Sequence, residues 1–314
     1  MAVEHGQPQQ ALALDPPPGE PPFPNMVWVP GGDFAMGSNE FYPEESPVRR
    51  ETVPGFWMDR APVTVREFRR FVKATRHVTT AERAPERADY PNADAALLVP
   101  GSLVFQGTRG PVSLDDNRRW WRYAPGARWD RPEGPDSDVY TRANHPVTHV
   151  TFTDAEAYAA WARKALPTEA EWERAARGGL EGARFAWGDE ETAGGRRLAN
   201  TWQGEFPWHD SAEDGWRGTS PVGCYPANGF GLLDVTGNVW EWTTERFESA
   251  GKPQSPCCAA AGADAGRFPS NVIKGGSHLC APSYCLRYRP AARQAETVDT
   301  STSHIGFRCV VRPG

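Results

Sequence analysis

The sequence predicts a single loop-rich domain with little regular secondary structure, and its composition is the first reason for this prediction. Glycine (31 residues) and proline (30) are abundant in a chain of 314 residues, and both interrupt helices and strands. The 13 tryptophans can each bury a large apolar area. Because 39% of the residues are hydrophobic, a sizeable core is possible. We therefore expect long ordered loops held in place by aromatic side chains rather than by long helices.

Charge and cysteine content narrow the classes of function. The net charge of −6 argues against nucleic acid as a partner, because proteins that bind it usually carry a basic surface. No apolar run approaches the roughly 20 residues needed to cross a bilayer, and the N-terminus lacks a signal peptide pattern. Six cysteines do not suggest a disulfide scaffold. We expect a cytoplasmic protein that binds neither nucleic acid nor membrane.

The chain begins with a Pro- and Gln-rich segment that cannot bury much apolar surface. We expect residues 1–24 to form a disordered tail and residues 25–314 to form the domain. A short apolar strand is predicted from Met26, followed by a turn at Gly31 and Gly32.

Three capping boxes, in which a threonine precedes a glutamate by three residues, predict the starts of three helices. Glycine at position 178 is expected to end the third helix. The three capping boxes are Thr64 with Glu67, Thr153 with Glu156, and Thr168 with Glu171.

The remaining segments are predicted to be mostly irregular. Residues 80–140 are polar and irregular with interleaved tryptophans, so we expect a long surface excursion that is held down by these tryptophans. Residues 249–267 are rich in Ala, Gly and Pro and are expected to form a mobile loop. Strands are predicted at residues 271–274, before a glycine turn, and at residues 306–312.

The main chemical signal is a pair of cysteines, Cys280 and Cys285. Their spacing of five would point the side chains to opposite faces of a strand, or about 140° apart on a helix. A bent loop could bring the sulfurs together, and Pro282 disfavours a helix. Two converging thiolates suit a soft ion such as Cu(I) or Zn, and they could also form a redox-active disulfide. Two unrelated buried cysteines are the alternative.

Basic residues near this pair have two interpretations. Arg287, Arg289 and Arg293 could favour the thiolate forms of the cysteines through their positive charge. They could equally form a structural network of salt bridges.

Other candidate ligands have weaker patterns. His145 and His149 have the i, i+4 spacing of a metal pair, but Pro146 and the β-branched residues around it favour a strand, and no acidic residue follows. We expect a structural role for both histidines. The cysteines outside the pair, for which we expect no function, are Cys224, Cys257, Cys258 and Cys309.

Oxygen-bearing residues cluster in two segments, residues 200–216 and 231–242. Either segment could hold a hard ion such as Ca²⁺, which accepts both side-chain and backbone oxygens. Neither has the spacing of an EF-hand, and ordinary polar turns are the alternative.

A series of motifs spans the chain from about Met26 to Arg312. The most specific is G-G-S-x-x-C-x-x-S-Y-C-x-R-Y-R-x-A-A-R at residues 275–293. The others include Val29-Pro-Gly-Gly-Asp-Phe-Ala-Met-Gly, His145-Pro-Val-Thr-His-Val, Leu166-Pro-Thr-Glu-Ala-Glu-Trp-Glu, Asn200-Thr-Trp-Gln, Gly237-Asn-Val-Trp-Glu-Trp and Gly306-Phe-Arg. In this order they resemble the formylglycine-generating enzyme (sulfatase-modifying factor) family, and the cysteine stretch distinguishes the generating enzymes from relatives with other activities.

The resemblance implies an α+β, C-type-lectin-like fold and a copper-dependent oxidase. Such enzymes use O2 to convert a cysteine in a C-x-P-x-R type motif of an unfolded or nascent type I sulfatase to Cα-formylglycine. The resemblance assigns Cys280 and Cys285 as Cu(I) ligands. It places Ser277, Trp240 and Tyr284 around the copper and oxygen pocket. An external thiol reductant and a monomeric enzyme are also expected.

Two structural Ca²⁺ sites are implied by the same resemblance, each built from two side chains and two backbone oxygens. The first site would use Asn200 and Asp214 with the backbone oxygens of Thr201 and Trp216. The second would use Asp234 and Glu241 with the backbone oxygens of Gly237 and Val239.

Some positions differ from the family pattern in a segment that lines the substrate groove of the family. The substituted residues are Glu296, Val298 and His304. A different peptide specificity is therefore one alternative. A non-catalytic binding module, or another oxidase on the same scaffold, is the other.

Overall fold

The computed structural model describes residues 15–248 and 268–313. In this part of the chain, three α-helices and fifteen short strands are joined by long loops. The helices are Val65–Thr75 (α1), Phe152–Trp161 (α2) and Glu169–Arg177 (α3). The strands are Met26–Val29 (β1), Gly32–Met36 (β2), Arg49–Val53 (β3), Phe56–Asp59 (β4), Gly101–Phe105 (β5), Trp121–Pro125 (β6), Thr192–Ala193 (β7), Arg196–Arg197 (β8), Gly204–Glu205 (β9), His209–Asp210 (β10), Trp240–Arg246 (β11), Ser270–Lys274 (β12), Arg293–Thr297 (β13), Ile305–Gly306 (β14) and Val310–Val311 (β15). The loop-rich architecture predicted from composition is confirmed.

Two of the three helices start at the predicted capping boxes. At the start of α1, Thr64 Oγ1 accepts a hydrogen bond from Glu67 N, and the Glu67 carboxylate accepts one from Thr64 N. Thr168 and Glu171 make the same exchange at the start of α3. Gly178 ends α3 in the left-handed conformation, with φ of 57°, as predicted.

The predicted start of α2 was wrong by two residues. Thr151 is the N-cap, and its partner in the capping box is Asp154. The Asp154 carboxylate also contacts His77 Nε2 at 2.8 Å and accepts from Thr80 N at 3.3 Å. These contacts from a remote part of the chain fix the aspartate, and so they favour the earlier capping box.

The sheet that positions the cysteine loop has the strand order β13-β12-β11-β14. Strands β11, β12 and β13 are antiparallel neighbours, whereas the short β14 runs parallel to β11. Helix α3 packs against β11 and β12. On the opposite side lies an apolar cluster that includes both cysteines of the pair and side chains from α1 and α2. A second sheet, β1-β4-β15, joins the two ends of the domain.

The predicted surface excursion at residues 80–140 is partly built into the fold. It contains an antiparallel hairpin, β5 with β6, and Trp120 before β6 is only 1% exposed. Leu103 N donates to Ser301 O at 3.2 Å, so the hairpin is attached to the loop before β14. The burial of Trp120 agrees with the expectation that tryptophans hold this segment down, whereas the hairpin was not predicted.

The predictions for the two ends of the chain and for the loop at 249–267 have different outcomes. Residues 15–24 contain no helix or strand, and the rest of the predicted tail lies outside the described residues, as does the predicted loop at 249–267 with Cys257 and Cys258. The predicted strand at 306–312 is split into β14 and β15, which join different sheets. No helix in the described residues is both long and apolar enough to cross a membrane.

Candidate active site

The cysteine pair lies on a loop that starts with a glycine turn after β12. Gly275 and Gly276 have φ of +93° and +70°, a conformation that favours glycine. A Cβ at Gly275 would lie 2.8 Å from Val235 O, and one at Gly276 would lie 2.8 Å from the backbone of Arg287. The turn therefore lets the loop fold back tightly onto the segment that follows Cys285.

This bent loop brings Cys280 Sγ and Cys285 Sγ to a distance of 3.3 Å. Cys280 N donates to Ser277 O at 2.9 Å, and Cys285 N donates to Ala281 O at 2.7 Å. Both cysteines are completely buried. Their separation exceeds the ~2.05 Å of a disulfide, so no covalent bond joins the sulfurs here. Two soft donors this close can bind one soft ion or react with each other.

The other three residues predicted for the pocket lie around the pair. Ser277 is completely buried, and its backbone N–H donates to Cys280 Sγ at 3.4 Å. Trp240, the first residue of β11, lies in the same buried apolar cluster as both cysteines. Tyr284 directly precedes the second cysteine and packs against that cluster. The structure thus brings the predicted pocket residues together.

Aromatic residues from outside the motif form a further wall that the sequence did not predict. Phe206 stacks on Tyr284 with ring centroids 4.6 Å apart, and Trp120 packs edge-on against both rings. Trp202 donates its backbone N–H to Cys280 O at 3.0 Å. The tryptophan-rich stretches were visible in the sequence, but nothing local indicated that they meet the cysteine loop.

Four buried indole N–H groups in and beside this region have no hydrogen-bond partner among the described residues. They belong to Trp120, Trp121, Trp202 and Trp240. An unpaired buried donor costs about 1–3 kcal/mol. These N–H groups are therefore available to an oxygen-bearing ligand that enters the pocket.

The three arginines of the motif form ion pairs with carboxylates. The pairs are Arg287 with Glu44, Arg289 with Glu45, and Arg293 with Glu169, at N–O distances of 2.5, 2.5 and 2.8 Å. The first two pairs are almost completely buried, and charges in such a place need a partner. The contacts support the structural interpretation of these arginines.

Among the residues predicted for the first calcium site, Asp214 has a well-bonded carboxylate. Asp214 Oδ1 accepts from Trp216 N at 3.0 Å, and its Oδ2 accepts from the Tyr225 hydroxyl at 2.5 Å. Asn200 and Thr201 are buried. Carboxylate, amide and backbone oxygens are the donors that Ca²⁺ binds, so these residues fit the ion. The site stays a prediction.

The second predicted calcium set is engaged in an ion pair. Glu241 accepts from Arg308 through both oxygens, at 2.7 and 2.8 Å, and from the Trp172 indole at 2.7 Å. Asp234 accepts from Gly223 N at 2.6 Å, and burial raises its pKa to about 6. Calcium would compete with Arg308 here, so this set fits the ion less well. The two members that would contribute backbone oxygens are Gly237 and Val239.

Metal binding by side chains alone is limited in the described part of the chain. No group of three or more His, Cys, Asp or Glu side chains there could hold an ion. A calcium ion would therefore depend on amide and backbone oxygens, as the resemblance implied.

The two histidines at i, i+4 spacing have separate partners. His149 Nδ1 lies 2.7 Å from Ser102 Oγ, and His145 Nδ1 lies 3.0 Å from Thr219 Oγ1. Burial lowers the pKa of His149 to about 3. The predicted strand was wrong, because His149 has φ of +59°. These contacts fit the expected structural role.

Two of the three residues that differ from the family pattern, Glu296 and His304, are buried. Glu296 on β13 faces Asn271 on β12, and burial raises the pKa of Glu296 to about 8. His304 Nδ1 lies 2.6 Å from Thr302 Oγ1, and its ring packs against Trp121. Burial lowers the pKa of His304 well below its usual value.

Comparison with known proteins settles the family. The model of the sulfatase-modifying factor enzyme 1-like domain matches residues 13–313. The chain belongs to this family. A formylglycine-generating enzyme of Mycobacterium tuberculosis is 55% identical over 293 residues, which cover 92% of this chain and 98% of that protein. A formylglycine-generating enzyme of Streptomyces coelicolor is 47% identical over 315 residues, covering 98% and 96%.

The family match also confirms the fold. PvdO from Pseudomonas aeruginosa has a similar structure, with a TM-score of 0.58 over 91% of this chain and 93% of that chain. At 24% identity this likeness concerns the fold alone. The predicted α+β fold of the sulfatase-modifying factor family, in a single domain, is confirmed.

Proposed function

We propose that this chain is an oxidoreductase that converts one cysteine of a partner sulfatase to Cα-formylglycine. The observation that carries the proposal is the buried pair of Cys280 and Cys285, with sulfurs 3.3 Å apart. Relatives named formylglycine-generating enzymes match nearly the whole chain, which supports it. The proposed substrate is an unfolded or nascent type I sulfatase with a C-x-P-x-R type motif.

Cys280 and Cys285 would hold one Cu(I) ion, because soft thiolate sulfurs are the ligands that Cu(I) prefers. The bound ion would supply the activation of O2 beside the substrate cysteine. The protein fixes both sulfurs in advance, through the contact of Ser277 N with Cys280 Sγ and the bond from Cys285 N to Ala281 O. A site arranged in this way needs little reorganisation on binding.

The aromatic walls would exclude water and orient the substrate. Tyr284, Phe206 and Trp120 pack together on one side of the cysteine loop. The indole N–H groups of Trp120 and Trp240 would donate to an oxygen acceptor of the substrates. Such bonds are stronger in a water-poor pocket than in solvent.

The overall reaction requires an external reductant. Full reduction of O2 takes four electrons, of which the substrate cysteine supplies two on oxidation to the aldehyde level. Two external thiols would supply the other two, one electron and one proton each, and become a disulfide. The products are then the formylglycine residue, hydrogen sulfide and water. The structural calcium ions, the monomeric state and the cytoplasmic location expected from the sequence stay predictions.

The test is a reaction of the Cu(I)-loaded protein with the peptide Leu-Cys-Thr-Pro-Ser-Arg in air with excess thiol, followed by mass spectrometry. We expect loss of mass at the peptide cysteine as it becomes an aldehyde. Cys280→Ser and Cys285→Ser should each abolish the product. Cys224→Ser, at an exposed cysteine, is the matched control and should leave the reaction intact.

The possible outcomes separate the parts of the proposal. Copper binding without any change in the peptide would contradict the assigned substrate motif. Failure to bind Cu(I) would overturn the copper oxidase and favour the non-catalytic binding module. Product formation that persists in both cysteine variants would overturn the assignment of the ligands.

A further inference from the structure

Residues 41–45, Phe-Tyr-Pro-Glu-Glu, contact the chain immediately after the second cysteine of the pair. We propose that this segment, here called the 41–45 clamp, is a positioning element that fixes Cys285 for metal binding. The proposal rests on the proposed copper function for its consequence and on the following contacts for its geometry. None of these residues belongs to the motif that carries the cysteines.

Tyr42 contacts the residue that directly follows Cys285. Its hydroxyl accepts a hydrogen bond from Leu286 N at 3.1 Å, across 244 positions of sequence. Leu286 N shares one planar peptide unit with the carbonyl of Cys285. Holding this N–H therefore fixes the peptide plane next to the cysteine and restricts where its Sγ can lie. Arg287 N donates to Cys285 O at 2.9 Å and holds the other side of the same plane.

Arg289 ties the following residues to the clamp. Its guanidinium forms a two-point contact with the Glu45 carboxylate, at 2.9 and 2.5 Å, and lies 3.7 Å from the centroid of the Phe41 ring. Its Nε donates to Leu286 O at 2.7 Å. Both ends of Leu286 are therefore held, one by Tyr42 and the other by Arg289.

Arg287 adds a second buried ion pair. Its Nη2 lies 2.5 Å from Glu44 Oε1, and its guanidinium lies 3.8 Å from the centroid of the Tyr42 ring. Charged pairs without access to water hold a strict geometry, because misalignment leaves a buried charge uncompensated. The clamp thus contacts Leu286, Arg287 and Arg289, all within four positions after Cys285. Ser277, in contrast, contacts Cys280 from within the cysteine loop.

Two parts of the sequence therefore hold the pair. The cysteine loop holds Cys280 and, through Ala281 O, the N–H of Cys285, whereas the clamp holds the peptide on the C-terminal side of Cys285. Two ligands that are already aligned bind an ion without a further cost of ordering. Loosening the clamp should lower the affinity for Cu(I) and the equilibrium constant for forming a disulfide between the two cysteines. It should have little effect on the rest of the fold.

The main test compares Tyr42→Phe with Tyr123→Phe. Tyr123→Phe is the control, because it too removes a tyrosine hydroxyl that is hydrogen-bonded to the backbone. Tyr123 Oη donates to Val99 O at 2.6 Å. We expect Tyr42→Phe to weaken Cu(I) binding by roughly two- to tenfold, the equivalent of one net hydrogen bond. Competition with a chromophoric Cu(I) chelator measures this change.

Two further readouts separate positioning from general destabilisation. Hydrogen exchange of the peptide spanning residues 283–290, followed by mass spectrometry, should be faster in Tyr42→Phe and unchanged in Tyr123→Phe. Arg289→Lys, which keeps the charge but loses the two-point contact, should act like Tyr42→Phe. Equal Cu(I) affinities and equal exchange in Tyr42→Phe and Tyr123→Phe would overturn the clamp.

A metal-free measurement distinguishes failure of the clamp from failure of the copper function. Oxidised glutathione can take two electrons and two protons from Cys280 and Cys285, which gives their disulfide and two molecules of reduced glutathione. The equilibrium constant should fall in Tyr42→Phe because the two sulfurs are less well aligned. If the wild-type protein binds no Cu(I), the proposed function fails, but the glutathione titration still tests the clamp. An equal equilibrium constant in the wild type and in Tyr42→Phe would overturn the clamp.

Discussion

Glu296 is expected to make the protein less stable as the pH rises through neutrality. The side chain is 3% exposed, and its Oε2 has no hydrogen-bond partner among the described residues. Burial raises its pKa to about 8, and the nearby Asp299 acts in the same direction. The facing Asn271 has a buried Oδ1 that also lacks a hydrogen-bond partner within residues 15–248 and 268–313. A protonated Glu296 can donate to that oxygen, whereas an ionised one cannot.

The size of the effect follows from the difference in pKa between the two states. The unfolded value is about 4.3, well below the folded one. A group with a raised folded pKa contributes stability that is complete below the unfolded pKa and is lost as the pH rises to the folded pKa. In this window each pH unit costs about 1.4 kcal/mol. Between about pH 5.5 and 7.5, Glu296 should therefore remove about 3 kcal/mol from the free energy of unfolding.

Urea unfolding followed by tryptophan fluorescence at these two pH values measures the loss. Glu296→Gln keeps the shape of the side chain and offers Asn271 an N–H donor, but it cannot ionise. The free energy of unfolding of this variant should therefore fall by about 3 kcal/mol less than that of the wild type between the two pH values. Glu205→Gln, at an exposed carboxylate, is the control and should keep the wild-type dependence on pH. If wild type and Glu296→Gln lose the same free energy between the two pH values, the argument is refuted.

Two further predictions concern the metal and the glycine turn. Removal of calcium by a chelator should lower the thermal midpoint of the wild type, measured by calorimetry, but not that of Asp214→Asn. An equal shift in both proteins would count against Asp214 as a ligand. Gly275→Ala should cost about 2–5 kcal/mol in urea unfolding, from its positive φ and from the close contact of the new Cβ with Val235 O. Gly182→Ala has a similar φ but open space around it, and it should cost only the backbone share, so equal losses would contradict the steric argument.

Short-range patterns were read correctly from the sequence. The capping boxes at Thr64 and Thr168 and the glycine end of α3 involve residues within a few positions of each other. The strand before Gly275 was also predicted. In the caps the partners in the hydrogen bonds are neighbours along the chain, so local chemistry is sufficient; the strand pairs with the distant β11 and β13, and only its apolar pattern and the glycines after it are local. The cysteine motif and the family also follow from the sequence, because the order of the motifs is preserved along the chain.

Where several local solutions compete, tertiary contacts decided. Thr151 and Thr153 both precede an acidic residue by three positions, and contacts of Asp154 with His77 and Thr80 select the first. The histidines at 145 and 149 fit a strand by composition. Instead, the backbone of His149 has a left-handed conformation, and Ser102 contacts its ring.

The sequence by itself determined that two cysteines lie on one glycine-started loop in a protein of this family. Only the tertiary structure decided what surrounds them: the wall of Trp120 and Phe206, the hydroxyl of Tyr42 on Leu286, and the burial that makes Glu296 a weak acid. The physical reason is range. A turn is set by the torsions and hydrogen bonds of adjacent residues, whereas packing, ion pairing and burial depend on segments that meet only after the whole chain has closed around its core.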